Sequence, residues 1–472
     1  MRTTFRILSV LSATTVVACS RATTAPTVER PPVDAATTAF VEDLSRRTFQ
    51  WFWDVGNASN GLIPDRWPTR SFSSVAAVGY GLTAYPIGIE RGYITRDQGA
   101  TRTLTTLRFF YQAPQGAAAT GVTGYKGFFY HFLDMQTGLR FETVELSTID
   151  TSLLLMGALF CQQYYDRDTP DERAIRAYAD SIYWRVEWKW AQVRPPRVGM
   201  GWRPENGFID ADWVGYNEAM LLYVLALASP THPIGPESWT AWTSDYDWLT
   251  YYGQPHVNFA PMFGHQYSHI WIDFRGIQDA YMRGKGIDYF ENARRATLSQ
   301  RAYAIDNPND WKDYGPNIWG LTASDGPLDT TWTVAGTQRR FFTYAARGAA
   351  ANEVRDDGTI APTAAGGSIP FAPEYAIPAL KAMRDRYGDN LWTRYGFLDS
   401  FNPTFTFDVK VQHGRVVPGL GWFDGDHLGI DQGPILIMLE NWRSDLVWKH
   451  MRKSPYVRRG LERAGFTGGW LQ

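Results

Sequence analysis

The sequence predicts an all-α fold: a barrel of helical hairpins with long loops and a few short β-hairpins. Three observations carry this. Apolar residues recur at helical spacing over most of the chain, giving about a dozen candidate helices. Runs that are apolar all round, such as Leu153–Phe160 and Leu221–Ala228, alternate with amphipathic ones such as Asp171–Ala191. A helix that is apolar all round must be enclosed by others, so inner helices wrapped by outer ones are expected. Strand alternation is scarce, and only FTFDVK (405–410) and GRVVPGLGWF (414–423) read as short hairpin strands.

Taken in order, the helical candidates are 39–56, 74–92, 95–113, 148–166, 170–191, 216–229, 287–306, 337–349, 373–388 and 431–452. Ordered structure is expected from Ala39, where Phe40, Val41, Leu44, Phe49, Phe52 and Trp53 form one apolar face. The connecting segments are long and rich in Gly, Pro, Trp and Asp, and long ordered loops on a helical scaffold usually carry function. No second linker divides the chain, so 39–472 reads as one domain.

The 472 residues carry a net charge of −2 with no long basic run, which argues against a nucleic-acid partner. Aromatic residues make up 15% of the chain, with 20 Trp and 25 Tyr, and such faces suit the C–H faces of sugar rings. Residues 1–19 read as an export signal. Arg2 and Arg6 precede an apolar run too short to span a membrane, and Val16–Cys19 (VVAC) has the form of a lipobox. Cleavage before Cys19 with lipid on that cysteine is one expectation; plain cleavage a little downstream is the other. Residues 20–38, rich in Thr, Pro and Ala, read as a flexible tether. Membrane contact would then run only through the lipid. Cys161 lies in an apolar run and reads as a small buried hydrophobe.

Acids head several of the apolar runs. Asp210, Asp212 and Glu218 precede Leu221–Ala228; Glu142, Glu145 and Asp150 precede or open the next such run; Asp431 opens a third. Ionised carboxylates leave water only when paired or put to use. Splitting a glycosidic bond needs two carboxyl groups, one kept protonated by partial burial. Glu218, among large aromatics, fits the protonated member. Asp210 and Asp212 fit turn or helix-start roles as well, and Asp150 divides between supporting a Ser147 or Thr148 cap and touching substrate. Asp399, Asp408, Asp424 and Asp426 are late candidates. DGDHLGID is oxygen-rich but lacks EF-hand spacing and a closing Glu, so no metal is expected. His265 and His269 stand four apart without an HExxH glutamate or an evident third ligand. With Gln266 they read as hydroxyl contacts or as structural hydrogen bonders.

ELSTIDTSLLLMGALF, GFIDADWVGYNEAMLLYVLALASPTHPI, PMFGHQYSHIWIDFRG and GPILIMLENWRS together resemble the bacterial glucoamylase-like domain family, which includes the β-1,2-glucanases of glycoside hydrolase family 144. The resemblance runs from about Phe40 to the end. It implies an (α/α)6 barrel and an exported enzyme; with the lipobox-like motif, a lipid-anchored place in the periplasm or outer membrane is expected. Such an enzyme cuts β-1,2-glucan to sophoro-oligosaccharides by inversion, without metal or cofactor. It places Glu142, Glu145 and Glu218 among the cleft carboxylates, with Glu218 as general acid and Asp399 as base. Trp202, Trp213, Tyr216 and Trp271 would line subsites, and Arg203, His265, Gln266 and His269 would bind hydroxyls. A monomer is expected. Exo-release of sophorose, hydrolysis of another glucan, and a non-catalytic glycan-binding lipoprotein are the alternatives.

Overall fold

Six buried helices alternate along the chain with six outer ones. The buried set is Val75–Glu90, Thr148–Tyr164, Met220–Ala228, Tyr267–Trp271, Pro362–Gly366 and Gly429–Ser444. The outer set is Ala35–Val55, Arg96–Gln112, Pro170–Trp184, Glu237–Thr243, Tyr289–Asp306 and Pro373–Tyr387. This is the expected all-α (α/α)6 arrangement. The computed structural model describes residues 34–472, which fall within one unit, Val33–Gln472. The expected leader, Cys19 and residues 20–33 of the tether lie outside the described residues, while 35–38, expected as tether, open the first helix. The first helix begins at Ala35, upstream of the expected Ala39, because Asp34 caps it by accepting the Thr37 N–H. Among the described residues no helix is long and apolar enough to cross a membrane.

Composition explains which helices go inside. Every residue of Met220–Ala228 is buried, whereas Pro170–Trp184 buries one face and turns its charges outward. Inner helices also need close approach. A Cβ on Gly79 would lie 2.3 Å from the Leu153 carbonyl oxygen, and one on Gly157 would lie 2.2 Å from that of Gly79. Glycine at these two positions lets the second and fourth helices meet backbone to backbone.

Two expectations fail. Residues 337–349, read as a helix, form strand Thr337–Phe341 paired with Thr330–Val334, then two shorter strands. Ala335 and Gly336 both take positive φ (49° and 83°), the geometry of a tight hairpin turn, and this local signal overrides the apolar spacing. FTFDVK contains no strand; Phe405 and Phe407 instead pack on Trp332 and Phe341. The second hairpin forms, with Arg415–Val417 beside Gly421–Phe423. A five-stranded sheet of very short strands at the head of the Thr148 helix runs Gly124–Tyr125, Phe128–Tyr130, Leu146–Ser147, Gly201–Arg203, Gly207–Phe208.

Candidate active site

The heads of the buried helices carry the acids. Ser147 caps the Thr148 helix by accepting the Asp150 N–H, and its hydroxyl donates to the Asp150 carboxylate. Glu145 stands just before the Leu146–Ser147 strand. His131 joins the two acids: its Nδ1 is 2.9 Å from Glu145 Oε1 and its Nε2 is 3.5 Å from Asp150 Oδ1. Register pairs Leu146 with Trp202, which brings the neighbouring Arg203 guanidinium to 3.2 Å from Glu145 Oε2. Burial by itself would lower the His131 pKa, but Asp150, Glu145 and Asp65 lift it to about 9, so the ring is cationic at neutral pH. The His131 hydrogen bond pulls Glu145 down to about 2, against burial. Burial raises Asp150 in spite of His131.

Glu218 occupies the turn before the Met220 helix, half-buried. Ser268 Oγ fixes this turn, donating to the Glu218 carbonyl (3.0 Å) and accepting the Leu221 N–H (3.0 Å). Burial pushes the Glu218 carboxyl up to about 7, and the charge of Asp150 adds to the shift. It is therefore a carboxylic acid that keeps its proton near neutrality, as a general acid must.

A second acid group lies on the late segments. Arg66 Nη1 meets Asp325 Oδ2 at 2.6 Å, and Asp399 Oδ2 accepts the Asp325 N–H at 2.8 Å. Asp424 Oδ1 accepts the Gly425 N–H and Asp426 Oδ1 accepts the Thr69 N–H. Burial, then the charge of Asp325, pushes Asp399 up to about 7; burial and Asp399 raise Asp431 well above the carboxylate range. Beneath lies a fully buried pair, Arg347 Nε with Asp357 Oδ1 at 2.7 Å.

Tyr80 ties the two groups together. Its ring stacks on Trp271 with centroids 5.3 Å apart, and its buried hydroxyl has no hydrogen-bond partner among the described residues. That hydroxyl is raised by burial and then by the charges of Asp431, Asp150 and Glu218, so acids from three inner-helix heads surround one point. Tyr344, with 56% of its surface exposed, lies on the open side within reach of Asp431 and Asp399.

The expected site residues divide sharply. Glu145 and Asp150 meet at His131 with Arg203 on Glu145, Glu218 feels the charge of Asp150, and Asp399 stands in the late group with Asp325 and Asp431. Glu142 sits exposed in a turn with φ of 46°; the segment is not helical, so it does not share a face with Glu145. Asp210 is exposed, Asp212 is held by Arg194 (2.7 Å), and Asp408 faces solvent. Four expected hydroxyl or subsite contacts are instead core residues. His265 is sealed, with Nε2 on the Phe259 carbonyl, and burial lowers its pKa to about 3. His269, also at about 3, is enclosed by Phe274, Phe290 and Phe371. Gln266 donates to the Ala364 carbonyl and Ser368 Oγ, tying two short inner helices together. Trp271 is wholly buried and donates to Thr83 Oγ1. Trp213 and Tyr216 are also buried: Trp213 donates to Thr148 Oγ1, and Tyr216 lies against His265. Trp202 is half-buried, packed on Tyr125 and Trp190. Burial removes these side chains from substrate and gives them the task of fixing the heads. His131, Arg66, Asp325, Tyr80 and Tyr344 were not legible beforehand, because their partners are remote in sequence.

The fold is an α/α barrel with carboxyls carried at the heads of its inner helices. The chain belongs to the family described as "Putative glucoamylase", which matches residues 210–455, more than half of its length. A structure from Bacteroides uniformis described in the same words is 31% identical, with a TM-score of 0.78 over 93% of this chain and 100% of that one. An endo-β-1,2-glucanase from Chitinophaga pinensis, solved with sophorotriose and glucose, is 29% identical, with a TM-score of 0.78 over 93% and 100%. An exo β-1,2-glucooligosaccharide sophorohydrolase (non-reducing end) from Parabacteroides distasonis is 28% identical over 457 residues; the match takes in 89% of this chain and 57% of that protein's length.

Proposed function

We propose that the protein is an inverting glycoside hydrolase that cuts β-1,2-glucan within the chain to sophoro-oligosaccharides. The observation that carries this reading is Glu218: a half-buried carboxyl at an inner-helix head, protonated up to about pH 7 by burial and the charge of Asp150, while Glu145, joined to Asp150 through His131, stays ionised. Glu218 protonates the departing glycosidic oxygen, and Asp399 takes the proton from the attacking water. Glu145 and Arg203 hold sugar hydroxyls, and Tyr344 offers a ring face at the open side. The Chitinophaga pinensis relative supports the substrate and the endo mode. The Parabacteroides distasonis relative favours a second reading, release of sophorose from a chain end. The lipobox-like Val16–Cys19 supports an exported, lipid-anchored form, which intact mass of the mature protein checks.

The test is incubation with linear β-1,2-, β-1,3- and α-1,4-glucans, with product lengths followed in time. Early mixed lengths from β-1,2-glucan alone are expected; sophorose as the sole early product selects the exo reading. Binding of β-1,2-glucan with no new reducing ends would overturn hydrolysis and leave a glycan-binding protein.

A further inference from the structure

The late acid group crowds six carboxyls beside two guanidiniums. Asp65, Asp325, Asp399, Asp424, Asp426 and Asp431 face Arg66 and Arg347, and Arg347 is already taken by Asp357. Buried carboxylates without partners are costly, so such groups keep a proton or take up a cation.

We infer that Asp325, Asp399 and Asp424 form a site for a hard divalent cation of the calcium class. One oxygen from each lies within 4.8 Å of the others. Oxygens that share a calcium ion at about 2.3–2.6 Å stand no more than about 5 Å apart, so the set fits one ion. The three residues are 1%, 2% and 0% exposed. Asp325 Oδ1, Asp399 Oδ1 and Asp424 Oδ2 are sealed and have no hydrogen-bond partner among the described residues. The second oxygen of each is pinned, by Arg66, by the Asp325 N–H and by the Gly425 N–H respectively. Asp325 and Asp424 are thus each fixed through one oxygen while the other is left free, and Asp399 also meets the Asp431 carboxyl. An all-oxygen set selects calcium over zinc or copper. The ligands come from three separate segments, which is why loop spacing around Asp424 gave no metal signature. The site does not depend on the proposed hydrolysis; where that holds, the ion engages Asp399 and calcium slows turnover.

The experiment is calorimetric titration of calcium chloride into the purified, EDTA-stripped protein, with Tm measured beside it and choline chloride matching the ionic strength. One site is expected, with a Tm rise of at least about 2 °C at saturation, and Asp424→Asn weakens binding at least about tenfold. Should Asp424→Asn not fold, Asp325→Asn carries the same expectation. No heat and an unchanged Tm in the parent protein up to about 1 mM calcium would overturn the inference, as would undiminished binding in a folded Asp424→Asn. Glucan hydrolysis of the parent protein, assayed separately, tells failure of this site from failure of the proposed function.

Discussion

The two acid groups meet the same physical problem in opposite ways. Around Glu145 and Asp150 the charge is met locally: His131 bridges both acids and Arg203 reaches Glu145 from the next strand. His131, Glu145 and Arg203 there keep some solvent contact, between 24% and 35% of their surface, while Asp150 keeps 6%. Around Asp325, Asp399 and Asp424 the carboxylates are sealed, and Arg66 is the one cation bonded directly to the set among the described residues. The first group keeps Glu145 ionised against His131 and Arg203, where it can bind a neutral polar ligand. In the second, burial and neighbouring acids raise Asp399 and Asp424. Glu218 stands between these regimes: buried enough to keep its proton, open enough to give it away.

The largest expected effect comes from removing that middle term. Glu218→Gln lowers kcat on β-1,2-glucan by about 10²–10⁴-fold, with KM changed little, read from reducing-end release. The same variant carries a stability signature. A carboxyl raised from 4.5 to about 7 costs nothing below pH 4.5 and its full penalty above about 7. Glu218→Gln is therefore expected to gain up to about 3 kcal/mol at pH 8 and nothing at pH 4 in denaturant melts.

Next comes the base of the sealed group. Arg347→Leu leaves Asp357 buried and unpaired, which costs about 3–5 kcal/mol of stability by urea titration. Gly157→Ala drives a methyl into the Gly79 carbonyl and separates the two helices, for about 1–3 kcal/mol by the same measurement.

A smaller effect sharpens the solvated side. His131 stabilises the fold fully below 6.5, and that contribution fades as pH rises through about 9; Glu145 contributes above 4.5 and fades as pH falls through about 2. In Glu145→Gln the His131 proton resonance should titrate well below 9, with the alkaline loss of stability moved down in pH. A His131 titration unchanged by that variant removes the pairing from the account. The least change is expected at Arg194→Ala, which frees the peripheral Asp212, Asp210 and the Ile209 carbonyl and leaves turnover as it was.

The barrel was legible because its longest inner helices are apolar on every side. Leu153–Phe160 and Leu221–Ala228 have no solvent face to offer, so enclosure follows. The inner helices Tyr267–Trp271 and Pro362–Gly366 were not legible: five residues carry no periodicity, and Gly and Pro flank them. The pattern of acid before apolar run located Glu218, Asp150 and Asp431 correctly at helix heads. It could not pair them, since Arg66 finds Asp325 259 positions away and Arg91 finds Glu440 at 349. His265 and His269 misled because polar spacing on a short helix says nothing of what surrounds it. Here the surroundings are aromatic rings, and both imidazoles stay neutral.

The proton on Glu218 decides between a working cleft and a merely acidic one. The pH dependence of kcat/KM on linear β-1,2-glucan reads it directly: the rate should fall as pH rises through about 7, where that carboxyl ionises. A rate that holds level from about pH 6 to about pH 9 would contradict a carboxylic acid donor at this position.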